Sequence, residues 1–231
     1  MTSKCVALSL AAIVLSAASA TACQAQDDPA WSLDGYVGVS TDYRDRGISL
    51  SGRDPSVSAS LGLFHKSGLY GGVDAALIGA DFGSNQKTEF YIGYAIDKGD
   101  YIYDFSVELE GFHTNESNYY SEFKASVSRD FGLAFIRGGL AYAPEGRWNL
   151  PGVDSVYGYA DLEVPVPSMP DLTLVTHVGY DVRDGRSNLW NWSVGVSAFI
   201  NNFEVTLGYE DSSLDNQLAK GQLVLGAKFY F

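Results

Sequence analysis

Cysteine is nearly absent from this chain. Its two copies, Cys5 and Cys23, lie within or beside the first 25 residues. Removal of that leader leaves no disulfide framework. The triplet before Cys23, Ala20-Thr21-Ala22, lacks the leucine that opens a lipidation signal, so Cys23 reads as a residue near a cleavage point. Long apolar runs are missing too. Beyond the leader nothing approaches the roughly 18 consecutive apolar residues of a membrane-spanning helix. Basic charge is scarce, with 15 Lys+Arg against 28 Asp+Glu. Losing Lys4 with the leader leaves 14 against 28, a balance of −14. A basic face for nucleic acid is therefore disfavoured, and no nucleic-acid partner is expected. The 3 histidines, His65, His113 and His177, have no cysteine or second histidine at metal-ligand spacing. There is no Gly-x-Ser-x-Gly elbow and no glycine-rich phosphate loop. Catalytic residues, metal and cofactor are all expected to be none.

What is present begins with the leader. Lys4 supplies a positive start, Val6 to Ala18 is a short apolar run, and small residues follow. This is the layout of an export signal, with cleavage after about Ala20, Ala22 or Ala25. Residues 26–231 then fit a single all-β domain.

Along that domain apolar residues alternate with polar ones, the period of a strand with one greasy face. Twelve strands are expected. Representative apolar faces are Leu33, Val37 and Val39 in the first, Phe90, Ile92, Tyr94 and Ile96 in the fourth, and Ile136, Leu140 and Tyr142 in the seventh. The opposite parity carries Asp34, Asp74, Glu89, Asp104, Glu108, Glu110, Glu122, Lys124, Asp161, His177 and Glu204. Tight turns (His65–Gly68, Lys98–Asp100, Arg129–Gly132, Asn201–Asn202) alternate with longer polar links. The Pro165–Asp171 link is expected to be longer than the other turns on its side. Short turns at one end and long loops at the other are the habit of a transmembrane barrel, in which the apolar face points out to lipid and the polar face into the lumen. Aromatic residues, among them Tyr94, Tyr101, Tyr119, Tyr142, Tyr157, Tyr180 and Trp190, gather near strand ends as interfacial girdles would.

The chain ends on Leu223-Val224-Leu225-Gly226-Ala227-Lys228-Phe229-Tyr230-Phe231. An apolar strand at a bare terminus is an aggregation hazard unless a barrel closes over it. The ending resembles the C-terminal signal that hands outer-membrane barrels to their assembly machinery, with Gly226, Phe229 and Phe231 at the signal positions. Nearer the start, Thr41, Tyr43, Arg46, Gly47 and Ser49 lead to Asp54-Pro55. This stretch resembles the opening of the TorF family of proposed porins (the Gcw_chp family), where a Ser-x-Tyr-x-x-Arg-Gly-x-Ser pattern precedes a polar loop and an Asp-Pro. The resemblance implies an up-and-down antiparallel outer-membrane barrel with a channel role.

The expected function is passive diffusion of ions or small hydrophilic solutes through an acidic lumen with weak cation preference. Candidate lumen or constriction residues are Asp42, Arg44, Arg46, Asp104, Glu108, Glu110 and Glu122. The alternative is a structural or adhesive barrel, for which Trp148, Asn149 and Leu150 would be exposed loop contacts. A lipid hydrolase is a third reading, weakened by the lack of a serine elbow. Expected partners are outer-membrane lipid, the assembly machinery and a small solute. The expected location is the outer membrane, with both termini periplasmic.

Overall fold

The computed structural model describes residues 29–79, 84–113 and 118–231. The leader lies outside the described residues. The strands are β1 (Trp31–Ser40), β2 (Arg44–Asp45), β3 (Ile48–Ser49), β4 (Ser56–His65), β5 (Leu69–Leu77), β6 (Gln86–Lys98) and β7 (Tyr101–His113). They continue with β8 (Asn118–Asp130), β9 (Phe135–Ala143), β10 (Ser155–Val166), β11 (Met169–Arg183), β12 (Leu189–Ile200), β13 (Phe203–Ser212) and β14 (Gln222–Tyr230). Twelve of them form one closed antiparallel barrel in sequence order, while β2 and β3 pair with each other as a small hairpin between β1 and β4.

Closure joins the ends of the chain. β1 pairs β14 from Tyr36 opposite Tyr230 to Ser40 opposite Gly226. Beyond the last strand residue, Phe231 still exchanges two backbone hydrogen bonds with Gly35, at 3.0 and 3.1 Å. The terminal segment therefore has a partner on each side, β1 and β13.

The expected alternation is seen around the whole barrel. Leu33, Leu140 and Leu223 are 61%, 60% and 64% exposed on the outside, along with Val107, Leu207 and most of their parity. Lys87, Glu110, Glu122, Asp181 and Asn191 are buried inside. This is an inside-out distribution, suited to a lipid surround and a polar interior. A barrel meets the second demand of lipid as well. With no water to satisfy exposed N–H and C=O groups, each strand must be paired on both edges.

The twelve expected strands are the twelve of the barrel. One connection differs. The chain does not loop from Pro165 to Asp171; β10 runs through Pro165 to Val166 and β11 resumes at Met169. The register shifts between Pro165 and Val166. Proline has no N–H for a sheet ladder, and an irregularity of pairing is where a strand tolerates it. All connections at this end of the barrel are thus tight turns, and the long links gather at the other.

Candidate functional site

The barrel encloses a cavity of about 580 Å³. Among the described residues its charged lining comprises six carboxylates (Asp34, Asp74, Glu89, Asp104, Glu108, Glu210) against three cations (Arg46, Lys124, Arg137). Glycines shape the remaining wall. Tyr70 stands opposite Gly93, and Tyr91 opposite Gly72, in two successive inward pairs with the roles exchanged. Tyr159 stands opposite Gly139. A Cβ on any of these glycines would strike the tyrosine ring. The rings lie down over the backbone, so the wall is aromatic without being plugged by its aromatics.

The hairpin β2–β3 roofs this cavity at the long-loop end. Its two-residue turn, Arg46-Gly47, has φ of 47° and 76°. Positive φ at both central residues is the type I′ geometry that matches strand twist. For Arg46 the left-handed conformation costs about 1–2 kcal/mol, and it sets the guanidinium at the hairpin tip. Arg46 Nη2 donates to both oxygens of Glu122, at 2.6 and 2.8 Å. Its guanidinium also lies 3.8 Å from the centre of the Tyr157 ring.

From that contact an ion-pair network runs through the upper lumen. Lys124 bridges Glu122, at 3.4 Å, and Glu108. Arg147, from the link after β9, reaches Asp45 at 2.8 Å, Glu110 at 2.7 Å and Glu122 at 3.8 Å. Lys87 meets Glu110 at 2.7 Å and Glu89 at 3.1 Å. Trp148 Nε1 donates to Asp45 at 2.8 Å. Burial acts on the Asp45 carboxyl to raise its pKa, but Arg147, Lys87 and Arg46 outweigh it and hold the group well below the usual carboxylate range. Above the network, Ile48, Leu189 and Ala219 form one apolar cluster and Leu50, Ile78 and Phe112 another. Trp148 packs against both. The long-loop end is therefore capped by greasy side chains resting on buried ion pairs.

The structure draws most of the sequence candidates together at this roof. Asp42 is buried and accepts from Arg44 at 2.9 Å, Ser49 at 2.5 Å and Ser51 at 2.9 Å. Arg44 also faces Glu210 at 3.6 Å. Arg46, Glu108, Glu110 and Glu122 belong to the network. Asp104 stands apart toward the tight turns, accepting from Tyr70 Oη at 2.8 and 2.9 Å. Gly226 and Phe229 lie on the closing strand and Phe231 directly follows it, with both phenylalanines exposed outside. Trp148, Asn149 and Leu150 do not stand out as exposed contacts; each is partly buried, and Trp148 is folded inward. Tyr157 is corrected from girdle to lumen. It has the inward parity, is buried, and hydrogen bonds His177 Nε2 at 2.7 Å and Asn191 at 3.0 Å. His177 lies mid-strand in the lumen as expected, with Asp161 2.6 Å from Nδ1.

Sequence reasoning passed over Lys87, Asp45, Arg137 and Arg147. Lys87 shares strand and parity with Glu89, and Arg137 has the parity opposite to Ile136, Leu140 and Tyr142, so that signal was available. Arg147 sits in a loop, where period-2 alternation says nothing.

The sequence from residue 24 to 229 matches a family profile described as "Bacterial protein of unknown function (Gcw_chp)". The chain belongs to the Gcw_chp family. No curated protein sequence matches it. Among solved structures it is similar to the KdgM porin in complex with disordered oligogalacturonate, with TM-score 0.59, 9% identity, and coverage of 87% of this chain and 99% of that one. It is also similar to the NanC porin, with TM-score 0.56, 12% identity, and coverage of 86% and 99%. At such identities the likeness concerns the fold: this Gcw_chp member has the closed twelve-strand architecture of porin barrels.

Proposed function

We propose that this protein is an outer-membrane channel of the porin type, passing ions or small hydrophilic solutes passively, with a weak preference for cations. The observation that carries the preference is the lining of the cavity, where among the described residues six carboxylates meet three cations. A lumen of one dominant sign concentrates counter-ions and lowers the barrier to their passage. The reading agrees with the TorF porins that residues 41–55 resemble. It does not extend the oligogalacturonate of the KdgM complex to this chain, since an excess of carboxylates opposes a polyanionic ligand.

The same reading places the tight turns and both termini in the periplasm and the roofed end outside. Residues 1–25 act as the removed export signal, outer-membrane lipid meets the apolar outer face, and Gly226, Phe229 and Phe231 serve the assembly machinery. No enzymatic step is assigned. The line Asp161–His177–Tyr157 ends on a phenol that donates to Asn191, not on a serine or cysteine nucleophile.

Planar bilayers test the proposal. Purified protein in a salt gradient should give discrete conductance steps and a reversal potential favouring cations. Anion-favouring potentials would sink the acidic-lumen reading, and absence of any steps would sink the channel.

A further inference from the structure

Among the described residues six tyrosines line the cavity, and one of them, Tyr230, packs beside Tyr36 and donates its hydroxyl to Glu204. Over three of them the protein places a cation of its own. Arg46 lies 3.8 Å from the centre of Tyr157, Lys228 Nζ 4.8 Å from that of Tyr36, and Arg137 5.5 Å from that of Tyr159. On β5 and β6, Tyr70 and Tyr91 also line the cavity, their ring centres 6.1 Å apart. Among the described residues no lysine or arginine lies over either ring. Each ring rests on glycine backbone, Tyr70 on Gly93 and Tyr91 on Gly72. One face of each is therefore against the wall; Phe64 stacks beside Tyr70 with ring centres 6.0 Å apart, and all three side chains line the cavity.

The carboxylates beside these rings are of the kind a cation needs. Asp104 accepts from the Tyr70 hydroxyl and forms no ion pair among the described residues. Asp74 forms none either, and its Oδ1 is shielded from solvent without a hydrogen-bond partner. Glu89, opposite Asp74 across the β5–β6 ladder, is bound to Lys87. An aromatic face attracts a cation through its quadrupole, and the attraction grows where water is excluded. Over Tyr36, Tyr157 and Tyr159 lysine and arginine satisfy such faces. On this wall the protein supplies the face and the carboxylate, and among the described residues no lysine or arginine pairs with Asp74 or Asp104 or lies over Tyr70 or Tyr91.

We propose that the wall formed by Tyr70, Tyr91, Asp74 and Asp104 is a binding site for organic ammonium solutes, which sit on the two ring faces with their charge toward the carboxylates. The proposal rests on the channel reading for its physiological sense, in that it names the class of solute the lumen selects. As a binding site it stands on its own geometry.

Two probes of nearly equal shape separate charge from size: choline and its uncharged isostere 3,3-dimethylbutan-1-ol. Binding is measured by calorimetry on the full chain in detergent micelles, with heat-modifiable gel mobility confirming a closed barrel for each variant. Choline should bind saturably and the alcohol about tenfold more weakly. Tyr91→Leu should weaken choline by a similar factor, while Tyr91→Phe, which keeps the ring, should not. If Tyr91→Leu does not fold, Asp74→Asn carries the same expectation of weakened choline binding. Equal binding of the two probes, no saturable choline binding, or unchanged affinity in these variants would overturn the site. Conductance is recorded separately. A barrel that binds choline but never conducts overturns the channel and leaves the site. A conducting barrel that ignores choline overturns the site and leaves the channel.

Discussion

Arg46 and Glu122 are 76 residues apart in sequence, yet one guanidinium nitrogen spans both oxygens of the carboxylate at 2.6 and 2.8 Å. The contact ties the tip of the roof hairpin to β8 and sets a cation against the acids of the upper lumen. Glu122 is not abandoned when Arg46 is removed, because Arg147 and Lys124 stand 3.8 and 3.4 Å away. Arg46→Ala should therefore cost about 1–3 kcal/mol of stability, the scale of a lost charge-assisted hydrogen bond. It should also raise single-channel conductance and shift the reversal potential further toward cations, since a positive charge leaves the cavity wall. Unchanged selectivity in bilayers would show that Arg46 is not on the conduction path.

The outer surface makes a different demand. Leu207 lies mid-strand in β13 and is 46% exposed on the apolar face. If that face meets lipid, Leu207→Arg should destabilise the barrel by about 2–4 kcal/mol, the cost of a basic side chain near the bilayer midplane. Urea unfolding in lipid vesicles measures this. A change below about 0.5 kcal/mol, as for an ordinary wet surface, would remove the face from the bilayer.

Strand count, facing and closure were legible because period-2 alternation is a local property, and every strand from Leu33 to Phe229 writes it separately. The hairpin tip Arg46-Gly47 was legible as a motif but not as an object. Its role depends on Glu122 and Tyr157, contacts set by tertiary folding. The same holds for Arg147, which lies in a loop and pairs with acids of β2, β7 and β8. Acid excess read from the sequence was therefore too simple for the upper lumen, where Lys87, Lys124, Arg46 and Arg147 compensate it, and closer for the lower cavity. Tyr157 misled because a tyrosine near a strand end suits a girdle or a lumen equally, and parity decides.

The glycine–tyrosine pairs predict a steric effect on the pore. At Gly139 an added Cβ would run into the Tyr159 ring. Gly139→Ala should push the ring off the wall and into the lumen. The expected stability cost is about 1–3 kcal/mol, as for other overpacked sites, with lower conductance. Gly139→Ala combined with Tyr159→Ala should recover conductance, because the obstructing ring is gone. A double variant that conducts as poorly as the single one would mean that the loss came from backbone distortion.

Asp45 supplies a pH test of the roof. Its carboxyl receives Arg147 Nη2 and Trp148 Nε1, each at 2.8 Å. Its folded-state pKa lies below the ordinary 3.8, because Arg147, Lys87 and Arg46 outweigh the effect of burial. The sign follows from linkage: a group with a depressed folded pKa stabilises in its ionised form. That contribution is complete above its unfolded pKa, about pH 4, and is lost as pH falls toward the lower folded value. Roof stability from this group should be flat from about pH 8 to pH 5 and should decline below about pH 4. Asp45→Asn should loosen the roof at neutral pH, because Arg147 loses a charged partner. It should also abolish that part of the acid decline. Hydrogen exchange of the segments 44–49 and 144–154, corrected for the intrinsic pH dependence of exchange, reads both effects. Protection in Asp45→Asn equal to the native chain at pH 7 would show that Glu110 and Glu122 hold Arg147 unaided, and that Asp45 is a passenger in the roof.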